Sequence, residues 1–296
     1  MTIHVIGTDT DTTTVHFAQR AHAAGHRVEF VNLRAVVRHP WHFELDGWNG
    51  VAHLRSRAGV EHHLPGDGSY YARVVDLSPV LDPDEGPAWT RLVMGLTAFL
   101  DAARGTVVNR PSGQAHNGSK PLHEWWLARQ GFLVPPSRTT SDRERILDFL
   151  DRHGPVIVKT ITGVRGAAQL VDAGRFASFD ASQGPVHLQR RIEGFDVRVH
   201  LVGGEAFAER IDGAVVDYRT RGADITHRPV EVPDELVVRM RSAAETMGLA
   251  FTGWDFRVDA QDRWWCLEAN PMPGYDWYDR RCDGAISAAL CRVLAP

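Results

Sequence analysis

The sequence predicts an α/β protein whose later lobes are of the α+β kind. Three observations predict it. Residues 3–33 alternate strand, helix and strand: "IHVIG" (3–7), "VHFAQRAHAAG" stopping at Gly25, and "RVEFVNL" (27–33). Such a βαβ opening calls for a parallel sheet. Later, "FDVRVHLV" and "EAFAERID" flank Gly203-Gly204, a two-residue turn of the kind that joins antiparallel strands. Finally, "FTGWDFRVDAQDRWWCLEAN" (251–270) folds back about its most polar point, Gln261-Asp262.

The other elements fall between these. "TDTDTTT" after the first strand is a loop rich in N-cap residues. Residues 41–75 read as short strands and turns, and "SYYARVVDL" (69–77) as a strand. "AWTRLVMGLTAFLDAARG" (88–105) has the helical period and ends in Gly105. "TVVN" (106–109) returns as a strand and "RPSG" breaks it. "SKPLHEWWLARQGF" (119–132) is a helix with Lys120 near its start. "VPPSRTT" is extended, and "SDRE" (141–144) is a capping box opening the helix "RERILDFLDRHG". "PVIVKTI" (155–161) is a strand carrying Lys159, and "TGVRGAAQLV" (162–171) is a glycine loop running into another strand. "VHLQRRI" (186–192) is a strand, "PDELVVRMRSAAETMG" (233–248) an amphipathic helix, and "RRCDGAISAALCRVL" a closing helix.

Composition excludes several classes of function. The 296 residues suffice for two or three lobes with real cores. A net charge of −4 argues against nucleic acid as a partner, since its binders carry a basic excess. No apolar run is long enough to span a bilayer, and "MTIHVIGTDTD" lacks the pattern of a secretory signal. Cys266, Cys282 and Cys291 are odd in number and form no CxxC pair, so free thiols in a cytoplasmic protein are expected. "HEWW" from His123 lacks the second histidine of a zinc-protease helix. The absence of GxSxG and GxGxxG removes the simplest hydrolase and dinucleotide readings.

The last hairpin holds the most informative side chains. A turn on Gln261-Asp262 sets Asp255 directly opposite Glu268, about 4.5–5.5 Å apart at Cβ. Asn270 lies two residues on, on the same face. Two facing acids repel unless a cation lies between them. Oxygen donors favour Mg²⁺ or Mn²⁺, with phosphate oxygens completing the shell. A solvated face with one acid pointing outward is the plainer alternative. The apolar neighbours Trp254, Phe256, Trp264, Trp265 and Leu267 argue for shielding instead. Pro271 and Pro273 end the strand, since neither donates to a ladder.

A phosphate site also needs cations and backbone donors. Lys159 ends "VIVK", and "GVRG" (163–166) follows with Arg165; glycine turns let amides approach phosphate. Asp196 and Arg198 alternate on one face of their strand, and Arg210 is read as pointing there from the next. Each has a plain alternative as a surface group. The order, two lysines, a glycine loop, an arginine hairpin and then Asp…Glu-x-Asn, is what resists those alternatives.

That order resembles the ATP-grasp superfamily, in particular its RimK-like and glutathione-synthetase-like carboxylate–amine ligases. The matching pieces are "NRP" (109–111), "SK" (119–120), "PVIVKTITGVRG" (155–166), "LQRRIEGFDVRVHLVGG" (188–204), "AERI" (208–211) and "GWDFRVD…WWCLEANPMPG" (253–274). The resemblance implies an ATP-grasp fold: an N-terminal α/β preceding domain (1–108), a central lid subdomain (109–188) and a C-terminal antiparallel-sheet subdomain with the metal site (189–296). It implies ATP and two Mg²⁺ ions, with Mn²⁺ as the alternative metal. Lys120 and Lys159 match the lysines on the nucleotide phosphates, and Gly163, Arg165 and Gly166 the mobile loop above them. Gln189, Arg190, Arg191 and Ile192 match the hinge strand whose backbone reads adenine, with Glu193 or Asp196 near the ribose. Arg198 and Arg210 match the groups near the γ-phosphate or activated carboxylate, and Asp255, Glu268 and Asn270 the metal ligands.

The implied reaction is ATP-dependent amide formation through an acyl phosphate. The expected substrate is an amino acid or small peptide, with a larger ribosomal peptide, or a small-molecule kinase reaction on the same fold, as alternatives. Arg219, Arg221 and Tyr275 are the substrate candidates, against a packed C-terminal loop. Two departures stand out. The loop reads "GAAQL" where many relatives have another glycine, and "DYRTRGADITHRP" (217–229) lacks the asparagine many relatives carry. The resemblance also allows a homo-oligomer.

Overall fold

The computed structural model describes the chain apart from residues 38–40, 47–50, 57–60, 76, 78–80, 82–84, 163–167 and 214–224, and the side chains at 46, 51, 56, 115 and 116. The βαβ opening is present: β1 (Thr2–Gly7), α1 (Thr12–Ala23) and β2 (Arg27–Asn32), followed by the short α2 (Leu33–Val37). Three antiparallel strands, β3 (Trp41–Asp46), β4 (Val51–Ser56) and β5 (Glu61–Leu64), form a small sheet of their own. β6 (Ser69–Ala72), helix α3 (Gly86–Ala102) and β7 (Val107–Val108) complete this lobe. The main sheet is parallel throughout, in the order β2-β1-β6-β7. Parallel sheets need cover on both faces. Ile6, Val31 and Leu54 pack with Trp89, Leu92 and Phe99 on one side. Ile3, Val5 and Phe17 pack on the other with Leu290 and Leu294 from the C-terminal end of the chain.

A second sheet has the order β10-β9-β11-β8. It comprises β8 (Ser137–Thr140), β9 (Val156–Lys159), β10 (Gln169–Val171) and β11 (Val186–Arg190), with helix α5 (Arg143–His153) against it. The cap of α5 is Asp142, which accepts from the amides of Glu144 and Arg145. The expected box opening on Ser141 is thus displaced by one residue, because a carboxylate one step later reaches two amides. β11 crosses residue 188, so Gln189 belongs to this sheet. Helix α4 (Lys120–Arg129), between the two lobes in sequence, packs Leu127 into the core of the next sheet.

The third sheet is antiparallel, in the order β14-β13-β12-β15-β16. Its strands are β12 (Phe195–Val202), β13 (Glu205–Gly213), β14 (Ile225–Pro229), β15 (Phe251–Val258) and β16 (Trp264–Asn270). Gly203 and Gly204 both take positive φ in the β12–β13 turn, as a two-residue hairpin turn requires. Helix α6 (Asp234–Thr246) covers one face through Leu236, Met240 and Ala243. Helices α7 (Asp276–Arg281) and α8 (Ala285–Leu294) close the chain, and α8 joins the N-terminal lobe's core. Among the described residues, no helix is long and apolar enough to cross a membrane. The three cysteines are free thiols.

Candidate active site

β15 and β16 align Asp255 with Glu268 and Gly253 with Asn270. The route to that register differs from the expected one. Near the turn, Phe256 pairs with Cys266 and Val258 with Trp264, one residue out of step. The loop is therefore centred on Gln261 alone, and a bulge between Asp255 and Phe256 restores the pairing that brings the acids together.

Register carries the row across the sheet. Asp255 pairs with Arg198 on β12, and Arg198 with Glu209 on β13. Directly paired residues share a face, so Glu268, Asp255, Arg198 and Glu209 form one charged row. Arg198 Nη1 lies 2.9 Å from Asp255 Oδ2, and Asn117 Nδ2 donates to Glu268 Oε1 at 2.5 Å. The Arg198 guanidinium thus supplies a positive charge beside Asp255. Gly253 makes room for it: a Cβ there would collide with Arg198 and come 2.6 Å from Pro273 Cβ.

Arg210 does not join this row. It pairs with Val197, on the opposite face, where its Nε donates to Asp212 at 2.8 Å and its guanidinium stacks over Phe195. The expectation that Arg198 and Arg210 act together is corrected on this ground. A two-residue turn at Gly203-Gly204 puts Glu209, not Arg210, opposite Arg198. Glu209 in turn accepts from Arg281 and pairs with His227.

Glu268, Asp255 and Arg198 of this row line a cleft of about 1280 Å³. Asp255, Glu268, Asn270, Arg198 and Asp196 line it from the five-stranded sheet, and Lys120, Lys159 and Gln189 to Ile192 line it from the other side. The segments that carry the lysines are joined: Ser119 bridges to Thr162, and the Lys120 amide donates to Ile161 O at 2.9 Å. Asp196 is held by Arg257 Nη1 at 2.8 Å, and Arg257 Nε donates to Ile192 O. Glu193 is outside the lining and pairs with Arg191. Tyr275 lines the cleft but is fully buried, with its hydroxyl against Ser287. Its neighbour Trp277 is 66% exposed at the cleft wall. Gly163, Arg165, Gly166, Arg219 and Arg221 lie outside the described residues.

Several residues around the site had no role assigned from the sequence, although Asn109 lies in the "NRP" piece. Asn117 ends a 3₁₀ segment, Pro111–Asn117, in a stretch with no recognisable motif. Asn109 is buried and sutures three segments: it accepts from the Ala250 and Phe251 amides at 3.0 Å and donates to the Phe251 and Pro271 carbonyls. From the N-terminal lobe, Thr8, Thr10, Asp11 and Arg73 form the far wall. Arg73 donates to Asp11 Oδ2 at 2.6 Å and to Pro273 O at 2.9 Å, tying the lobe to the segment that follows β16. Burial acts to raise the Asp11 pKa, but Arg73 and the Thr14 and Thr13 hydrogen bonds outweigh it and hold it below the usual value.

The donors fit a hard divalent cation. Asp255, Glu268 and Asn270 present oxygens along one edge of the cleft, and Mg²⁺ characteristically takes one or two carboxylates and leaves its other positions to water and phosphate. The described residues gather no cluster of three His, Cys, Asp or Glu side chains.

No protein-family model matches the chain. A glutathione synthetase from Gloeobacter violaceus is 30% identical over 161 residues, 48% of this chain and 48% of that protein; the match spans about half the length of each. In structure, the ATP-grasp ligase PsnB complexed with a minimal precursor superposes with a TM-score of 0.83 at 23% identity, covering 99% of this chain and 97% of that one. The macrocyclase MdnC from Microcystis aeruginosa, bound with the precursor peptide MdnA, gives 0.81 at 16% identity over 99% of both chains. PsnB has also been solved with minimal precursor, Mg and ADP, at a TM-score of 0.77 and 24% identity over 98% of this chain and 97% of that one. The fold is ATP-grasp. The proteins named above that share it over nearly the whole chain are described as an ATP-grasp ligase and a macrocyclase.

Proposed function

We propose that this protein is an ATP-dependent carboxylate–amine ligase acting on a peptide. The γ-phosphoryl group of ATP passes to a substrate carboxylate, giving an acyl phosphate and ADP. An amine then attacks the acyl carbon, an amide forms, and phosphate leaves. Lys120 and Lys159 hold the nucleotide phosphates, and Arg198 faces the charge that spreads over the transferred group. Asp255, Glu268 and Asn270 would hold Mg²⁺, two ions in this reading and Mn²⁺ as the alternative; the metal supplies charge neutralisation at the phosphates. Residues 189–296 present the metal face, 109–188 close over the nucleotide, and 1–108 form the substrate side.

One observation carries the proposal: the acid–arginine row and the two lysines line a single cleft. Its volume of about 1280 Å³ exceeds the ~300–1,000 Å³ of ordinary small-ligand pockets, leaving room beyond a nucleotide. Precursor peptides on PsnB and MdnC support a peptide substrate. The test is ADP release from Mg²⁺-ATP against a panel of acidic peptides, with mass spectrometry of the products. Products lighter by one water per ADP are expected. A stable phosphorylated product would make the protein a kinase, and amide formation only on free amino acids would move the substrate to small molecules.

A further inference from the structure

We propose that Asp276 is the subsite for the attacking amine, holding it as an ammonium group and so selecting a lysine side chain over a serine hydroxyl as the acceptor. This rests on the ligase reading above and names the class of acceptor at the same cleft.

Among the described residues, Asp11, Glu124, Asp196, Asp255, Glu268 and Asp276 are the acids in the cleft lining. Asp11 faces Arg73, Asp196 faces Arg257 and Asp255 faces Arg198. Glu124 meets His187 at 3.0 Å and Gln189 at 2.6 Å, and Glu268 stands in the proposed metal set. Asp276 differs from all of these. Its Oδ1 accepts from the Thr13 hydroxyl at 3.0 Å, and among the described residues its carboxylate forms no ion pair. It is nevertheless only 6% exposed. A carboxylate so shielded is costly without a cation beside it, and the cleft is the side from which a cation can arrive.

The place of this acid is set by the chain before it. The segment from β16 to α7 is pinned along its length: Asn109 donates to Pro271 O, Arg73 donates to Pro273 O, and His200 Nε2 meets Gly274 O at 3.2 Å. Asp276 is therefore held in a fixed relation to Glu268 and Asn270. Next to it, Trp277 is 66% exposed at the cleft wall. Its ring offers apolar surface along which the methylenes of a lysine lie while the charged head reaches the acid. An ammonium group brings three donors and a full charge, whereas a hydroxyl brings one donor and none. Hydrogen bonds between ionised partners are roughly twice as strong as neutral ones. A lysine acceptor gives the amide of the proposed reaction; a serine acceptor would give an ester.

The experiment takes the acidic peptides that release ADP and remakes them in pairs carrying either lysine or serine as the acceptor, with kcat/KM read by product mass spectrometry. The wild-type protein is expected to favour the lysine peptide about tenfold or more. Asp276→Asn keeps the oxygen that accepts from Thr13 and removes the charge. It should lower kcat/KM for the lysine peptide about ten- to a hundredfold, mainly through KM, and leave the serine peptide and calorimetric binding of Mg²⁺-ATP nearly unchanged. Thr13→Val removes the tie and keeps the charge, so its lysine-to-serine ratio should stay near that of the wild type. If Asp276→Asn fails to fold, unreactive peptides with trimethyl-lysine or norleucine serve on the wild type: the charged one should inhibit about tenfold more strongly. A wild type that prefers serine, an unchanged ratio in folded Asp276→Asn, or equal inhibition by the two unreactive peptides would overturn the assignment while leaving the ligase reading intact. No ADP release with any peptide would remove both.

Discussion

Glu268, Asp255 and Arg198 stand on a five-stranded sheet whose reverse face is a broad apolar core of Val197, Val199, Trp254, Phe256, Met240 and Leu236. Lys159 and Gln189 stand on a four-stranded sheet backed by one helix, with Ile146, Phe149, Leu150 and Leu188 as the bulk of its core. The difference separates two tasks. In the proposed function, the groups assigned to the metal stand on the well-buried sheet, and those assigned to the nucleotide stand on the thin one, where local opening costs less.

Four substitutions test that contrast, in order of expected effect. Arg198→Met should cost about 3–5 kcal/mol, since it strands the Asp255 carboxylate in a mostly buried row; denaturant unfolding measures it, and a loss below 1 kcal/mol would mean the row is not held by this pair. Glu268→Ala should lower ADP formation by about 10²–10³ with the melting temperature nearly unchanged. Wild-type turnover in a folded Glu268→Ala protein would remove the metal-face assignment. Phe149→Ala should cost about 3 kcal/mol, confined to the thin sheet. Hydrogen exchange should quicken in β9 and β11 and stay slow in β12 and β15; uniform quickening would show that the two sheets unfold as one.

The smallest effect concerns the wall that faces both sheets. Asp11→Asn should cost about 1 kcal/mol at neutral pH through the weakened Arg73 contact. The folded-state pKa of Asp11 is depressed, so its contribution is complete above the ordinary carboxylate value near ~3.9 and fades as pH falls through the lower folded value. The gap in melting temperature between wild type and variant should close as pH falls below 4. A gap that persists at acid pH would assign the effect to packing rather than charge.

Much of the site was legible before any fold was known. Strand alternation alone places Glu268 beside Asn270, and Pro271 with Pro273 ends the strand just where the cleft begins. The pairing of Asp255 with Glu268 was also reached from the turn, though the turn sits half a register away and a bulge makes good the difference. Arg210 was legible in principle, because the Gly203-Gly204 turn already dictates that Glu209 faces Arg198. Alternation along one strand sets the faces within that strand, and only the parity across the turn relates them to the next.

By itself, then, the sequence determined what local rules govern: the βαβ opening, the hairpins, the face shared by Glu268 and Asn270, and the lysines at a helix start and a strand end. Only the tertiary structure decided which strand lies beside which. β12 sits between β13 and β15, so Arg198 meets Asp255 across 57 positions of chain (255 − 198). Asn117 on Glu268, Asn109 on two separate segments and Glu124 on Gln189 are contacts of the same kind. The physical reason is that periodicity reports the direction of a side chain, whereas its partner is set by packing between elements far apart in sequence, which leaves no periodic mark.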